Sequence, residues 1–257
     1  MKVLKFGGTS VGSAQRMKDV AKLIVGEKNL IVLSAMSGTT NSLVEISDYL
    51  YKKNPDGANE IINKLSQKYF GHIDELYATE EYKEKARELV TFHFDHIRSF
   101  TKDLFTLFEE KVVLAQGELI STGMMNLYLQ EQGVNSVLLP ALDFMRTDKN
   151  AEPDPVYIKE KLNRLLEENA GADLYITQGY ICRNAYGEID NLQRGGSDYT
   201  ASLIGAAIKA EEIQIWTDID GMHNNDPRFV KGTSPVRHLH FEEAAELAYF
   251  GAKILHP

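Results

Sequence analysis

Short apolar runs that look like strands alternate along the chain with segments of helical periodicity, and this alternation constrains the fold more than any other feature. The strand-like runs lie at residues 3–6, 30–33, 137–139, 174–177 and 213–217. The helical patterns lie at residues 13–25, 41–51, 156–166, 199–208 and 241–250. Alternation of this kind is typical of a parallel sheet packed between layers of helices. The sequence therefore predicts an α/β fold with a mainly parallel central sheet.

The segment from about residue 52 to 115 departs from this alternation. It is charged, aromatic and helical in pattern, and its first strand-like run is Val112-Val113-Leu114. We interpret the segment as a helical insertion into the α/β frame, suited to form a lid or a dimer surface. His93 and His96 lie three residues apart in it, a spacing that two metal ligands could use on a helix, but the surrounding phenylalanines favour helix packing.

The charge balance and the single cysteine exclude several classes of protein. The 257-residue chain carries 28 Lys and Arg against 37 Asp and Glu, and its basic residues do not cluster without acidic neighbours, which argues against a nucleic-acid partner. The sequence has neither an apolar run long enough to cross a bilayer nor the layout of a signal peptide, so we expect a cytoplasmic protein without a membrane partner. Cys182 alone cannot form an intramolecular disulfide, and we expect a core or loop residue rather than a catalytic one.

Turns rich in glycine and hydroxyl residues follow four of the strand-like runs. They read Gly-Gly-Thr-Ser at residues 7–10, Ser-Ala-Met-Ser-Gly-Thr-Thr-Asn at 34–41, Gln-Gly-Tyr at 178–180 and Thr-Asp-Ile-Asp-Gly at 217–221. The carboxyl ends of parallel strands meet at one edge of a sheet, and ligands bind in the crevice beyond that edge. Together with Lys5 on the first strand, these turns predict a shared anion site.

The first turn has the features of a phosphate loop, although it lacks a Walker A lysine. Two adjacent glycines let backbone N–H groups approach phosphate oxygens, Thr9 or Ser10 adds a hydroxyl, and the helix that starts near Ser13 presents its positive end. In a Walker A sequence the lysine would stand where this chain has Ser13. Here the cation comes before the glycines, on the strand.

A second anion-binding element is predicted at residues 193–201, Gln-Arg-Gly-Gly-Ser-Asp-Tyr-Thr-Ala. The Arg194 guanidinium offers a planar fork of donors that matches a carboxylate or a phosphate. Asp198 lies in the first turn of the helix that follows and could cap this helix or orient a nearby lysine, and both roles stay open. A third polar turn, with Asp218 and the Asp226-Pro227-Arg228 run, follows the last strand-like run.

In order and spacing, these motifs resemble the catalytic domain of the aspartokinases, which belong to the amino-acid kinase superfamily. The motifs that carry the resemblance are KFGGTSVGS, SAMSGTTN, GELIST, MRTDKNAEPD, TQGYI, RGGSDYTA, WTDIDG with DPR, and GAKILHP. The resemblance implies a three-layer αβα sandwich. It also implies ATP-dependent phosphorylation of the side-chain carboxylate of L-aspartate to 4-phospho-L-aspartate, the first step of lysine, threonine and methionine biosynthesis. The implied cofactors are ATP and Mg²⁺, with the ion held mainly by the nucleotide phosphates and not by a dedicated protein site.

The resemblance also assigns roles to residues of this chain. The implied catalytic residues are Lys5, Asp198, which organises Lys5, and Lys253. The implied nucleotide-binding residues are Lys5, Gly7, Gly8, Ser10, Thr217, Asp218, His223, Arg228 and Lys253. The implied substrate-binding residues are Thr40, Glu118, Tyr180, Arg194, Gly195 and Ser197. Arg194 would bind the α-carboxylate of aspartate, and Glu118 would accept a hydrogen bond from its ammonium group.

The chain departs from the family pattern at the nucleotide loop and in its extent. Where the family usually has a tyrosine that can stack on adenine, this chain has Met222-His223-Asn224, and His223 is the candidate for stacking. We expect residues 1–257 to be a kinase catalytic domain truncated at its C-terminus, without the ACT regulatory domains of the family. The expected parent carries those domains and, in some family members, a fused homoserine dehydrogenase. The expected partners are aspartate and ATP, with a homodimer as a further prospect.

Two alternatives to an active aspartate kinase stay open. One is a catalytically silent module that binds an amino acid or a nucleotide, which the altered adenine loop would suit. The other is a different carboxylate or phosphate kinase of the same superfamily. Aspartate-dependent formation of ADP separates the first alternative from an enzyme. A substrate panel of aspartate, glutamate, acetylglutamate and UMP separates the second.

Overall fold

The computed structural model describes residues 1–102, 104–192, 195–218, 221–226 and 229–249. In this part of the chain the strands are Val3–Phe6 (β1), Leu30–Leu33 (β2), Ser136–Leu138 (β3), Leu174–Gln178 (β4), Ile181–Arg183 (β5), Ile189–Asn191 (β6) and Ile213–Trp216 (β7). The α-helices are Ala14–Ile24 (α1), Thr39–Tyr51 (α2), Pro55–Leu76 (α3), Glu80–Ser99 (α4), Leu107–Glu131 (α5), Ala141–Phe144 (α6), Pro155–Glu168 (α7), Gly196–Ile208 (α8) and Phe241–Tyr249 (α9). A 3-10 helix, Phe100–Lys102, follows α4.

Five parallel strands form the central sheet, in the order β3-β4-β2-β1-β7. β1 lies between β2 and β7, with Lys5 level with Val32 on one side and with Ile215 on the other. All the side chains of β2 are buried, as expected for a strand covered by helices on both faces. β5 and β6 pair antiparallel in a separate hairpin, which the sequence pattern does not predict.

Two hydrophobic cores lie on the two faces of the sheet and confirm the three-layer αβα sandwich. Leu4 and Phe6 of β1 contribute to the core formed with α1 to α5, whereas Val3 contributes to the core formed mainly with α6, α7 and α8. Side chains alternate between the two faces along a strand, so Lys5 takes the same face as Val3. The face that carries Lys5 is therefore the one covered by α8.

Helix α1 shows how a local pattern specifies its element. Ser13 is the N-cap, and its Oγ accepts a hydrogen bond from the backbone N–H of Arg16 at 3.3 Å. The apolar residues recur at helical spacing and are buried, which fixes the face that packs on the sheet: Ala14, Met17, Val20, Ala21 and Ile24. The helix predicted here is confirmed, and its N-terminus lies next to the first glycine turn.

The long helix α5 corrects two predictions. Val112-Val113-Leu114 is not a strand, because these residues lie within α5. The helical segment does not end near residue 115, as the sequence predicts, but continues to Glu131. A short apolar run cannot be distinguished from a buried helix by periodicity alone, and α5 is buried around most of its circumference. The last helix of the predicted insertion is thus part of the core, where it packs on the sheet.

Two residues that could have had chemical roles prove to be structural. Cys182 lies buried in β5, where burial raises the pKa of its thiol to about 12. His93 is also buried, with its Nδ1 2.7 Å from Oε1 of Gln116 on α5, and this contact confirms that it packs between helices. Within the described residues, no group of three or more His, Cys, Asp or Glu side chains is placed to hold a metal ion. None of the described helices is both long and apolar enough to span a membrane.

Candidate active site

A pocket of about 660 Å³ opens at the carboxyl edge of the sheet, within the size range of small-molecule sites. Its lining comes from the turn after β1, from residues 34–38 after β2, from Tyr180 after β4 and from the start of α8. Three of the four predicted turns therefore meet at one site. The turn after β7 contributes none of its described residues, and there Thr217 Oγ1 donates a hydrogen bond to Asp218 Oδ1 at 3.3 Å.

Lys5 extends into this pocket and pairs with Asp198. Its Nζ lies 2.7 Å from Oδ1 of Asp198, which is in the first turn of α8. The two side chains are only 12% and 17% exposed, so water and salt screen the ion pair little. Of the two roles left open for Asp198, this contact favours orientation of a lysine, and the role itself stays a prediction. Lys5 lies near the carboxyl end of β1 and faces α8, which explains why a lysine occurs within this strand.

The glycine turn after β1 packs tightly against the turn after β2. A Cβ on Gly8 would lie 2.6 Å from the backbone oxygen of Ala35, so only glycine fits there without a backbone shift. Ser10 N donates to the carbonyl oxygen of Gly7 at 3.0 Å, which closes the turn. A Cβ on Gly7 would lie 3.5 Å from Lys5 Nζ, so the ammonium group lies directly beside this turn.

Two helices begin at the pocket without a side-chain cap. α2 begins after Gly38 and α8 after Gly195, and both glycines adopt a left-handed backbone, with φ of 83° and 75°. Both glycines also line the pocket. Thr39 N and Asp198 N donate to the carbonyl oxygens of Met36 and Gly195, each at 3.0 Å, and no side chain caps the remaining first-turn N–H groups, which suits them to a ligand. Helix N-termini carry partial positive charge and bind anions, so with Lys5 they suit the pocket to anionic groups.

Glu118 is the second carboxyl group of the pocket, and no cation balances it within the described residues. α5 buries it to 4% exposure, its Oε1 accepts from Ala35 N at 3.1 Å, and its Oε2 has no hydrogen-bond partner in the described part of the chain. Burial raises the pKa of Glu118 to about 8, against the opposing effect of the Ala35 N–H. A buried carboxylate without a partner is costly, which suits this site to a ligand that brings a cationic group.

Tyr180 and Ser197 connect the pocket to α8. Tyr180 has a positive φ of 69°, unusual for a residue with a Cβ, and its N–H donates to Thr200 Oγ1 at 3.0 Å. Burial raises the pKa of the Tyr180 phenol, as does the nearby Glu118, so the hydroxyl stays protonated and can donate. Ser34 Oγ donates to Ser197 Oγ at 2.9 Å, which joins the turn after β2 to α8.

The structure brings many of the predicted site residues together and leaves others apart. Those that line the pocket are Lys5, Gly8, Thr40, Glu118, Tyr180, Gly195, Ser197 and Asp198. His223 is not among the lining residues, and its Nδ1 lies 3.0 Å from Thr233 Oγ1. Arg194, Arg228 and Lys253 lie outside the described residues. The roles assigned to all these residues stay predictions.

Several pocket residues belong to turns that the sequence predicts at this edge, but the family resemblance assigns them no role of their own. They are Thr9, residues 34–38, Asn41 and Gly196. The signal that points to them is the position of each segment directly after a strand or at a helix start. The whole turn after β2 directly follows a strand, although the resemblance assigns a role only to Thr40 in it.

The fold and the pocket define a class of protein: a three-layer αβα sandwich with a glycine-lined, anion-suited pocket at the carboxyl edge of a parallel sheet. The family comparison is more specific, because the model of the amino acid kinase family matches residues 1–257. The chain belongs to the amino acid kinase family.

The most similar relatives considered are aspartokinases, which confirms the resemblance seen in the sequence. The chain is 34% identical to lysine-sensitive aspartokinase 3 of Escherichia coli (strain K12), over 99% of this chain and 57% of that protein. It is 35% identical to the chloroplastic aspartokinase 3 of Arabidopsis thaliana, over 99% of this chain and 47% of that protein. The structure of E. coli aspartokinase III in complex with aspartate and ADP superposes with a TM-score of 0.88 at 33% identity, over 100% of this chain and 58% of that one. The chain thus spans about half the length of these relatives.

Proposed function

We propose that this chain is the catalytic region of an aspartate kinase, which transfers the γ-phosphoryl group of ATP to the side-chain carboxylate of L-aspartate. The observation that carries the proposal is the contrast between the pocket carboxyl groups: Lys5 balances Asp198, whereas buried Glu118 has an unpartnered oxygen. Aspartate has one ammonium group and two carboxylates, which matches one unbalanced carboxylate in a pocket otherwise arranged for anions. The similar E. coli enzyme was captured with aspartate and ADP, which supports the same pair of ligands here.

In the proposed reaction an oxygen of the aspartate side chain attacks the γ-phosphorus, the bond from that phosphorus to the β-phosphate bridging oxygen breaks, and ADP leaves. The attacking carboxylate has a reference pKa of about 4, so it is ionised at neutral pH and needs no general base. The difficulty is that two anions must meet, and positioning with electrostatic stabilisation overcomes it. Lys5 and the first turns of α2 and α8 supply the positive charge, while Asp198 holds the lysine in place.

Substrate recognition is proposed to depend on Glu118 at one end of aspartate. Burial raises the pKa of Glu118 to about 8, and the substrate ammonium would lower it again, so that the ionised carboxylate accepts from the ammonium and its free Oε2 gains a partner. Thr40 and Tyr180 line the same pocket and carry hydroxyl donors suited to the substrate carboxylates. Arg194 is proposed from the sequence motif alone as the ligand of the α-carboxylate, since a guanidinium binds such a group with two parallel hydrogen bonds.

Mg²⁺ is proposed to enter with ATP. The magnesium ion commonly keeps several waters and takes few protein ligands when substrate phosphates are present. The donor set of the described pocket agrees with this mode, because Asp198 is engaged by Lys5 and Glu118 is suited to an ammonium group. Phosphate oxygens and water would therefore supply most of the ligands, and the ion would neutralise charge on the transferring group.

The longer protein is proposed to carry regulatory ACT domains beyond this region and to form a homodimer in the cytoplasm. The length of the relatives supports additional domains, since this chain covers 57% of the E. coli relative. Some relatives are bifunctional aspartokinase/homoserine dehydrogenases, such as one from Buchnera aphidicola of which this chain covers 33%. Mass measurement of the native protein and sequencing of its full coding region test these points.

The activity test is ADP formation by the purified chain with aspartate and Mg-ATP, together with hydroxylamine capture of the acyl phosphate product. We expect both signals to require aspartate, and glutamate, acetylglutamate and UMP to give little. Aspartate binding without turnover would favour the silent binding module, and preferred turnover of another acceptor would favour a different kinase of the family. If aspartate neither binds nor reacts, the proposed function is wrong.

A further inference from the structure

Lys68, on the first helix of the helical insertion, contacts the turn that lines the pocket. Its Nζ donates a hydrogen bond to the carbonyl oxygen of Ser37 at 2.8 Å. Ser37 is a pocket residue, and Lys68 lies 31 positions away in the chain, on α3. Neither the motifs nor the proposed chemistry accounts for this lysine.

The backbone of Ser37 is held on both sides of its Cα. Its N–H donates to the carbonyl oxygen of Gly8 at 3.0 Å, in the turn beside Lys5. Its carbonyl oxygen accepts from Lys68. A Cβ on Gly12 would lie only 3.0 Å from the Cβ of Ser37, so the turn has little room to shift on that side. The turn after β2 is thus held by the glycine turn after β1 on one side and by the hydrogen bond from Lys68 on the other.

The position of the Lys68 ammonium group also points to an anion. A Cβ on Gly38, the N-cap of α2, would lie 3.8 Å from Lys68 Nζ, so this cation sits at the positive end of a helix. Cations are unfavourable at helix N-termini and favourable at C-termini. An anionic group bound nearby would compensate both this cation and the helix end.

We propose that Lys68 is a positioning residue for the anionic substrate. Its hydrogen bond fixes Ser37 and Gly38 so that the first turn of α2, with Thr40, faces the pocket. Its charge adds to the positive potential of that helix end. This inference rests on the proposed function for the identity of the substrate, aspartate, whereas the fixing of the turn does not depend on it.

The alternative is that Lys68 is an ordinary exposed lysine whose hydrogen bond to the Ser37 carbonyl oxygen contributes little to stability or to substrate binding. Lys64 is the matched control, because it lies one helical turn earlier on α3, is exposed, and has no described contact with the turn. Lys68→Met removes the donor and the charge but keeps most of the side-chain length. Lys68→Arg keeps both the charge and the capacity to donate.

The experiment measures steady-state kinetics for wild type, Lys68→Met, Lys68→Arg and Lys64→Met. We expect Lys68→Met to raise the KM for aspartate by about fivefold to tenfold, the loss typical of one ordinary hydrogen bond, because the Lys68 ammonium group is exposed. The kcat and the KM for ATP should stay within about twofold, because Lys5 and its turn are untouched. Lys68→Arg should restore most of the aspartate KM, and Lys64→Met should match wild type. An unchanged aspartate KM in Lys68→Met, or an equal loss in Lys64→Met, would overturn the proposal.

Hydrogen exchange of the amides of residues 37–40 keeps this test independent of the proposed function. Faster exchange in Lys68→Met, restored in Lys68→Arg, is expected even if the wild-type chain does not phosphorylate aspartate. In that case calorimetric titration with aspartate replaces the kinetic readout and shows whether the substrate assignment has failed. Exchange that is the same in wild type and Lys68→Met would show that Lys68 does not position the turn.

Discussion

The two carboxyl groups of the pocket, Asp198 and Glu118, differ in whether the protein supplies a cation for them. Asp198 on α8 lies 2.7 Å from Lys5 Nζ, so a cation of the protein itself balances its charge without a ligand. Glu118 on α5 is buried, accepts one backbone hydrogen bond, and has an oxygen without a partner in the described part of the chain. The difference indicates which charges the protein supplies itself and which it requires from its ligand. Under the proposed function, Lys5 is the protein's own cation for the phosphoryl group, whereas the cation for Glu118 is expected to arrive with the substrate.

The largest effect is expected from Lys5→Ala, which removes the resident cation. The kcat should fall by about 10²- to 10³-fold or more, the range seen when one stabilising donor is lost from a transition state. The fold should be retained, since Lys5 is at the pocket and not in a hydrophobic core. Steady-state kinetics with circular dichroism checks both points, and near-wild-type turnover would refute the role of Lys5.

Asp198→Asn tests the other half of the complete pair. The carboxamide keeps the shape but loses the charge that orients Lys5, and a misplaced catalytic group costs about tenfold to a hundredfold in kcat. Asp95→Asn is the matched control, because Asp95 forms an exposed ion pair with Arg98 far from the pocket lining. If both variants lose the same activity, the orientation of Lys5 by Asp198 is not what matters.

Glu118→Gln tests the incomplete site. The KM for aspartate should rise by about tenfold to a hundredfold, because a hydrogen bond between charged groups is worth about 1.5–3 kcal/mol. The KM for ATP should change little, since Lys5 and the first turn are unaltered. Glu88→Gln, at an exposed position of α4, is the control. A rise confined to the KM for ATP would contradict the assignment of Glu118 to aspartate and would place Glu118 on the nucleotide side of the pocket.

A smaller effect is expected on the pH dependence of the free energy of unfolding, and it tests whether Glu118 lacks a cation in the ligand-free protein. Burial raises the pKa of Glu118 from 4.5 to about 8, so the folded protein keeps this proton in a range where the unfolded chain has lost it. Between these pH values the folded state binds more protons, and the free energy of unfolding therefore falls as pH rises, by at most about 1.4 kcal/mol per pH unit. In urea unfolding of the ligand-free proteins, Glu118→Gln should gain stability relative to wild type between about pH 5 and about pH 8. A difference that does not change with pH would contradict the raised pKa.

Local patterns predict the sheet and one end of the site well, for reasons visible in β1 and α1. The short apolar runs at β1 and β2 are buried on both faces, and Ser13 caps α1 where its sequence position suggests. The order of strand and turn is enough to bring Lys5 and the first glycines to the carboxyl edge. These features depend on neighbours in sequence, which is why they can be predicted.

Features that depend on distant parts of the chain could not be predicted in this way. The apolar run in α5 is compatible with a strand until its burial by several elements is known. Periodicity does not indicate that Glu118 reaches the pocket, and only the family resemblance selects it. The contact between Lys68 and Ser37 joins α3 to a turn and leaves no trace in the local sequence. The turn after β7 differs from the other three, because Thr217 and Asp218 are not among the residues that line the pocket, and the nucleotide-binding role assigned to them stays a prediction.

The most direct test of the central claim, that Glu118 recognises the substrate ammonium group, compares aspartate with succinate, which lacks that group. We would measure kcat/KM for both acceptors in wild type and in Glu118→Gln. Wild type should prefer aspartate strongly, and the variant should lose most of this preference because its carboxamide no longer offers a negative charge to the ammonium group. A Glu118→Gln enzyme that discriminates between aspartate and succinate as strongly as wild type would contradict the claim.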